Sequence, residues 1–249
     1  MPDNITRVRD LILWDIQTPV TLVVASDNLG GIGSLAQDKY ACPPEDVGYF
    51  TARVVLFELL AAGALPRLML FNLANRGDYA RQVLQGVHEA LVEAGLPGDF
   101  PVNGSSEKNV ATEMTALGLT LIGTRADNFR PGGARPGDGL WLVGMPKSAP
   151  HDRVARGDPE MCGFDHLKLL AENPAVHDLV PVGSGGARPG IAELARRARL
   201  QSLVDPDCAG LLARSGGPAT AVVVASTDAD PMPADLGNAL PVRRVGTLV

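Results

Sequence analysis

Val102-Asn103-Gly104-Ser105-Ser106-Glu107-Lys108-Asn109 is a polar run with no apolar residue after its first. Met114-Thr115-Ala116-Leu117-Gly118-Leu119-Thr120-Leu121-Ile122-Gly123 follows, and its apolar content predicts a buried strand. Polar and glycine residues leading into a core strand are poor packing material. They suit a loop whose amides and short side chains face a ligand; an ordinary solvated turn is the alternative. Two other segments are built alike: Ala25-Ser26-Asp27-Asn28-Leu29-Gly30-Gly31-Ile32-Gly33 and Pro181-Val182-Gly183-Ser184-Gly185-Gly186.

Working outward, residues 8–14 and 20–25 read as strands joined by a turn around Gln17-Thr18-Pro19. Pro43-Pro44-Glu45-Asp46 starts a helix, because proline fixes the entry and acids favour the positive end of the dipole. That helix spans about 46–62, with Val47, Phe50, Val54, Phe57 and Ala61 on one stripe, and ends at Gly63 and Pro66. A strand is expected over 67–73, a second helix over 78–93 and a strand over 140–144. Residues 145–158 are rich in Pro, Gly and charge without apolar periodicity, which places a domain boundary there. Domains of 1–145 and 146–249 follow. The second is expected to hold helices at 159–170 and 187–200, strands at 179–182, 219–225 and 241–249, and an acidic loop at 227–238. The fold class is α/β or α+β.

The chain has 249 residues, 45% hydrophobic and 20% charged, enough for a large core. Aromatics are only 4% and the net charge is -6 with no basic stripe, which argues against a nucleic-acid partner. Cys42, Cys162 and Cys208 are odd in number and far apart, which fits a reducing cytoplasm rather than a disulfide framework. The start, Met1-Pro2-Asp3-Asn4, lacks the layout of a signal peptide, and no apolar run has the length of a membrane span. A cytoplasmic protein is expected.

Gly31-Ile32-Gly33-Ser34-Leu35-Ala36 matches a dinucleotide fingerprint in letters, but Cys42-Pro43-Pro44 leaves little room for its helix. No P-loop and no nucleophile elbow is present. Cys162 and His166 have helical spacing without a second ligand pair, so packing is favoured over zinc. Oxygen chemistry remains. Carboxylates on glycine loops hold Mg2+, and glycine lets phosphate oxygens approach the backbone. Asp27, with Asp46 or Glu107, is the expected metal set. Gly30, Gly31, Asn103, Gly104, Ser105, Ser106 and Asn109 are expected around the nucleotide phosphates. Gly183, Ser184 and Gly185 precede a helix, where free amides make an anion site. Lys108 or Lys147 would balance charge, and Glu107 is the candidate base.

The order of pieces is a strand, an Asp-containing loop and a helix ending Ala61-Ala62-Gly63-Ala64-Leu65-Pro66. The polar loop, the strand with Thr120-Leu121-Ile122-Gly123, Pro136-Gly137-Asp138 before a strand, and a late glycine turn before a helix complete it. This order resembles the superfamily of aminoimidazole ribonucleotide synthetase, thiamine-monophosphate kinase and a hydrogenase maturation factor. The resemblance implies a PurM-like two-domain fold: an N-terminal mixed sheet with helices on one face, which binds ATP and Mg2+ and dimerises, plus a C-terminal α/β domain. Residues 103–109 and 180–186 look most like the α-ribazole kinase branch, which implies phosphoryl transfer to a nucleoside in cobalamin lower-ligand salvage. Asp27 fits the superfamily's metal-binding Asp, and Glu58 stands where relatives have Asp. Glu107 falls near the Asp of the Gly-Gly-Asp-Thr loop in a different local pattern. The alternatives are a synthetase that activates a carbonyl or amide oxygen, and an inactive nucleotide- or metabolite-binding protein.

Overall fold

The computed structural model describes residues 4–8, 11–16, 18–227 and 240–249. The chain divides into two compact units, Met1–Leu59 with Ala64–Ala126, and Leu60–Gly63 with Asp127–Val249. The division falls earlier than the expected break at 145/146. The Pro- and Gly-rich tract beyond 145 is a loop inside the second unit, and the strand before it belongs to the second sheet.

The first unit begins with β1 (Ile5–Val8), β2 (Leu11–Asp15) and β3 (Thr21–Gly30), an antiparallel succession. The expected single strand over 8–14 is thus two. A small pair, β4 (Ile32–Gly33) and β5 (Tyr40–Ala41), precedes α1 (Pro44–Ala61). Helix α1 opens on its proline with Glu45 and Asp46 in the first turn, as expected. Next come β6 (Ala64–Leu73), α2 (Gly77–Glu93), β7 (Val102–Ser106) and β8 (Ala116–Arg125). The sheet order is β1-β2-β3-β8-β6-β7, and only the β6–β7 pair is parallel, the pair that α2 connects. Two readings need correction. Residues 102–106 form an edge strand rather than a loop, and Asp27 to Gly30 continue β3 rather than leaving it.

One face of this sheet is closed. Val23, Ala25, Leu117, Leu119, Leu121 and Met69 alternate with half-exposed neighbours and are buried. Helix α1 lies on that face: a Cβ at Gly123 would overlap Leu59. Helices α1 and α2 cross backbone to backbone. A Cβ at Gly48 would overlap the Val83 carbonyl, and one at Gly86 the Glu45 carbonyl.

The second unit holds β9 (Gly139–Val143), α3 (Phe164–Glu172), β10 (Val176–Pro181), α4 (Ala187–Ala198), β11 (Ser202–Val204), a short turn of helix, α5 (Ala209–Leu212), β12 (Val222–Ser226) and β13 (Val242–Leu248). Its sheet runs β10-β12-β9-β13-β11, antiparallel throughout. Leu140, Leu142, Val223 and Val245 pack with Ile191 and Leu194 of α4 in one core. Helix α3 starts later than expected, because residues before it are turns and the Gly163 N–H donates to Nδ1 of His166 at its entry. The acidic loop read over 227–238 lies outside the described residues after Thr227.

The crossing glycines generate a prediction. Alanine is favoured over glycine inside a helix by up to about 1 kcal/mol. Overpacking costs about 1–3 kcal/mol. Gly86→Ala is therefore expected to lower the thermal midpoint despite its better propensity. Gly210→Ala, where a Cβ meets nothing within 4 Å, is expected to leave it within about 0.5 kcal/mol of wild type. Unfolding followed by circular dichroism checks both.

Candidate functional site

The ends of four adjacent strands converge in the first unit. Across the β3-β8-β6-β7 order, Asn28 stands opposite Gly118, Gly118 opposite Asn72, and Asn72 opposite Ser105. Side chains on a strand alternate faces, so paired residues share one. This row lies on the face not closed by α1. It lines an open groove of about 430 Å3 together with Ser106 and Glu107.

The rim of the groove is fixed by committed polar groups. Asn75 is buried; its Nδ2 donates to Thr112 Oγ1 and the Met114 carbonyl, and its Oδ1 accepts the Ala116 N–H. Asp38 accepts the Thr115 N–H at 2.8 Å, the Thr115 hydroxyl at 2.7 Å and the Leu35 N–H at 2.9 Å. The Tyr79 hydroxyl bonds the same Thr115 oxygen. Burial pushes the Asp38 carboxyl up, but these donors outweigh it and hold the pKa below its ordinary 3.8. A Cβ at Gly33 would overlap Thr115, Tyr79 and Asp38 at once. That glycine is required by packing, and no helix begins beside it, so the dinucleotide letters have a structural cause.

Glu107 closes β7. Its Oε1 accepts the backbone N–H groups of Lys108, Asn109 and Val110 at 2.9, 2.6 and 3.0 Å. Those donors, Val110 first, hold its pKa below the usual carboxylate range. A carboxylate whose charged form is so stabilised is a weaker base, which counts against Glu107 as the expected base. Beyond the end of β7 lies a second depression of about 510 Å3, which shares Ser106 and Glu107 with the groove. Arg76, Arg81 and Lys108 line it, and Arg81 pairs with Asp78. The expected residues Asn103, Gly104, Ser105 and Ser106 are therefore one edge strand, with Lys108 and Asn109 in the Glu107-capped turn.

The other expected residues are dispersed. Asp27 lies within β3 one residue from Asn28, hence on the opposite face. Asp46 sits in the first turn of α1. Among the described residues no three His, Cys, Asp or Glu side chains group to hold a metal. Asp27, Asp46 and Glu107 thus form no preformed cage. Mg2+ often keeps several waters and takes one or two carboxylates together with substrate phosphates. The residues fit an ion carried in by a nucleotide, not one resident in the protein.

Gly30 ends β3, and Gly31 turns with φ +72°. Gly183, Ser184 and Gly185 belong to the second unit, in the turn before α4, where the Gly186 and Gly216 N–H groups both donate to the Gly183 carbonyl. Lys147 is also in the second unit. Its Nζ lies 2.7 Å from Asp158 and 2.6 Å from Glu160. Burial alone would lower its pKa, but hydrogen bonds to those two acids raise it. Its charge is spent on the 145–160 loop, which corrects the expectation of a phosphate-balancing cation.

Sequence reasoning missed Asn28, Asn72, Asp38 and Asn75. Strand ends carrying Asn instead of apolar residues were the available signal. No helix among the described residues is long and apolar enough to cross a membrane.

No family model matches the chain. A curated thiamine-monophosphate kinase of Rhodopirellula baltica is 23% identical over 140 residues, 56% of this chain and 43% of that protein. The aligned part therefore spans less than half the length of that relative. The crystal structure of thiamine monophosphate kinase from Aquifex aeolicus superposes with a TM-score of 0.63 at 17% identity, covering 98% of this chain and 89% of that one. Hydrogenase maturation protein HypE in complex with ATP superposes with a TM-score of 0.59 at 18% identity, covering 94% of this chain and 78% of that one. The chain has the mixed α/β fold of these thiamine monophosphate kinase and HypE structures.

The Asp38 clamp predicts a pH dependence. Its folded pKa is depressed, so its stabilisation is present above the unfolded value of 3.8 and is lost as pH falls through the lower folded value. Asp38→Asn is expected to lower the unfolding midpoint at pH 7, and the gap to wild type is expected to close below pH 3.8. A gap that persists unchanged to the lowest measurable pH would contradict the charge's role.

Proposed function

We propose that this chain is an ATP-dependent phosphotransferase acting on a hydroxyl of a small molecule. The observation that carries the reading is the groove at four strand ends, flanked by the cation-lined depression, in a fold shared with a kinase and with an ATP complex. The finer reading is that the acceptor is a nucleoside, α-ribazole, phosphorylated in cobalamin lower-ligand salvage.

In phosphoryl transfer the protein mainly positions groups and offsets charge. The acceptor oxygen bonds to the γ-phosphorus, the bond to the bridging oxygen breaks, ADP leaves and the hydroxyl proton passes to water. Lys108, with Arg76 and Arg81 near it, would attract the polyphosphate. Amides of Gly30, Gly31, Gly104, Ser105 and Asn109 are the proposed neutral donors; Gly183, Ser184 and Gly185, before α4, are proposed as a separate anion site within the second unit. Asp27, with Asp46 or Glu107, would hold Mg2+, which supplies charge neutralisation on the phosphates. No strong base is needed for a loose transition state.

A second reading is a nucleotide- or metabolite-binding protein without turnover. ATP binding with no transfer to any nucleoside would select it. A synthetase would release phosphate rather than leave it on the product.

The chain is also proposed to form a homodimer. The open sheet face exposes Ile12 and Trp14 at 46% each and Leu65 at 50%, apolar area that a second copy would remove from water. Light scattering is expected to give twice the chain mass, and a monomer would exclude the dimer.

Thermal unfolding tests the kinase reading. A hundredfold excess of ligand over its dissociation constant adds about 2.7 kcal/mol. Mg-ATP is expected to raise the midpoint, and α-ribazole to raise it further, with labelled phosphate then found on the nucleoside. Asp27→Asn is expected to abolish Mg2+-dependent transfer with the fold intact. Activity retained in that variant would remove Asp27 from the metal set.

A further inference from the structure

The cations around the depression beyond β7 are not equally committed. Arg81 pairs with Asp78, and the charge of Arg76 acts on Glu107. Among the described residues the Lys108 ammonium makes no hydrogen bond and no ion pair, and the side chain is exposed. A lysine on a surface turn sweeps many positions, because its four-carbon stem is flexible. What the fold can fix is the point from which that stem departs.

Here that point is held twice. The Glu107 N–H donates to the Leu73 carbonyl at 2.9 Å and so carries the β6–β7 ladder one residue past the strand. The Glu107 side chain then folds over the residues that follow, and its Oε1 accepts the N–H groups of Lys108, Asn109 and Val110. The ladder fixes where the turn begins, and the carboxylate fixes its course. All three of these residues are exposed, so packing does little to hold them. Hydrogen bonds to a charged acceptor are the strong ones, and here they are the turn's main support.

We propose that Glu107 is a positioning residue for the donor phosphates. It acts through the turn, by setting the point from which Lys108 reaches into the depression, and not as a ligand of the metal ion or as a base. The inference rests on the phosphotransferase reading and removes Glu107 from its metal set.

The occupancy of the carboxylate separates these roles. A carboxylate oxygen offers about two lone pairs. Three donors already share Oε1, which leaves that oxygen nothing for a cation. A divalent ion on the other oxygen would stand in the field of Arg76, the cation that already acts on this carboxylate.

The test uses the whole chain and the β,γ-methylene analogue of ATP, titrated by calorimetry in Mg2+. Glu107→Ala is expected to speed hydrogen exchange at the amides of Lys108, Asn109 and Val110, with the rest of the first unit unchanged. It is also expected to weaken binding of the analogue about tenfold, and Lys108→Met to weaken it by a like factor. The double variant should be no weaker than Lys108→Met alone, because Glu107 has nothing to position once the ammonium is gone. Glu107→Gln keeps an oxygen acceptor but lacks the charge that a metal needs, and should recover most of the affinity lost in Glu107→Ala. The Mg2+ concentration for half-maximal binding should be the same in all of them.

A Glu107→Gln variant as weak as Glu107→Ala, a raised Mg2+ midpoint, or losses that add in the double variant would overturn the positioning role. Phosphate transfer from Mg-ATP is assayed separately. The expected binding pattern with no transfer by the wild-type chain would support the positioning role and sink the phosphotransferase. Transfer with that pattern missing would do the reverse, and a wild-type chain that does not bind the analogue would overturn both.

Discussion

The register of β8 governs the first unit. The strand is paired on both sides, to β3 and to β6, and its odd-numbered leucines at 117, 119 and 121 are buried while Gly118 and Thr120 face the open side. A slip of one residue would exchange the two sets, burying polar groups and exposing three leucines. Two side chains pin the start of the strand against that slip. Asp38 holds the Thr115 N–H, and Asn75 holds the Ala116 N–H. The groove is a by-product of this choice, because the same register brings Asn28, Asn72 and Ser105 into one row.

The helices explain why only one face is available. Glycines at 48 and 86 let α1 and α2 approach until their backbones touch, while Leu59 of α1 sits over Gly123 on the leucine face. The other face keeps a divided character. Its strand ends are polar, while Ile12 and Trp14 on β2 and Leu65 on β6 are exposed and apolar. A ligand suits the first region and an apolar partner the second. The two needs do not compete for the same residues.

Much of this was legible. Helix α2 carries a strong 3.6-residue pattern and α1 is apolar nearly all round, with prolines or glycines at their ends, and both formed within two residues of the expected bounds. The edge strand β7 was not, since Val-Asn-Gly-Ser-Ser has no β-formers beyond its first residue. It is a strand because β6 offers it a full parallel ladder, a tertiary effect outside the reach of local propensity. Asp27 was misplaced for the converse reason: glycines at 30 and 31 suggested an early exit, yet pairing to β8 carries β3 as far as Gly30. Lys147 looked free in a turn, and its two acids at 158 and 160 are too distant in sequence to be seen as partners.

Fold alone does not choose a chemistry, and proteins of this architecture include both a kinase and a hydrogenase maturation protein. The choice must come from charge at the site. Cations gather beyond the end of β7 and neutral groups lie across the strand ends, with Ser106 and Glu107 shared between the two regions. Glu107 stands at that boundary, a carboxylate whose Oε1 accepts three backbone N–H groups and so anchors the turn that presents Lys108.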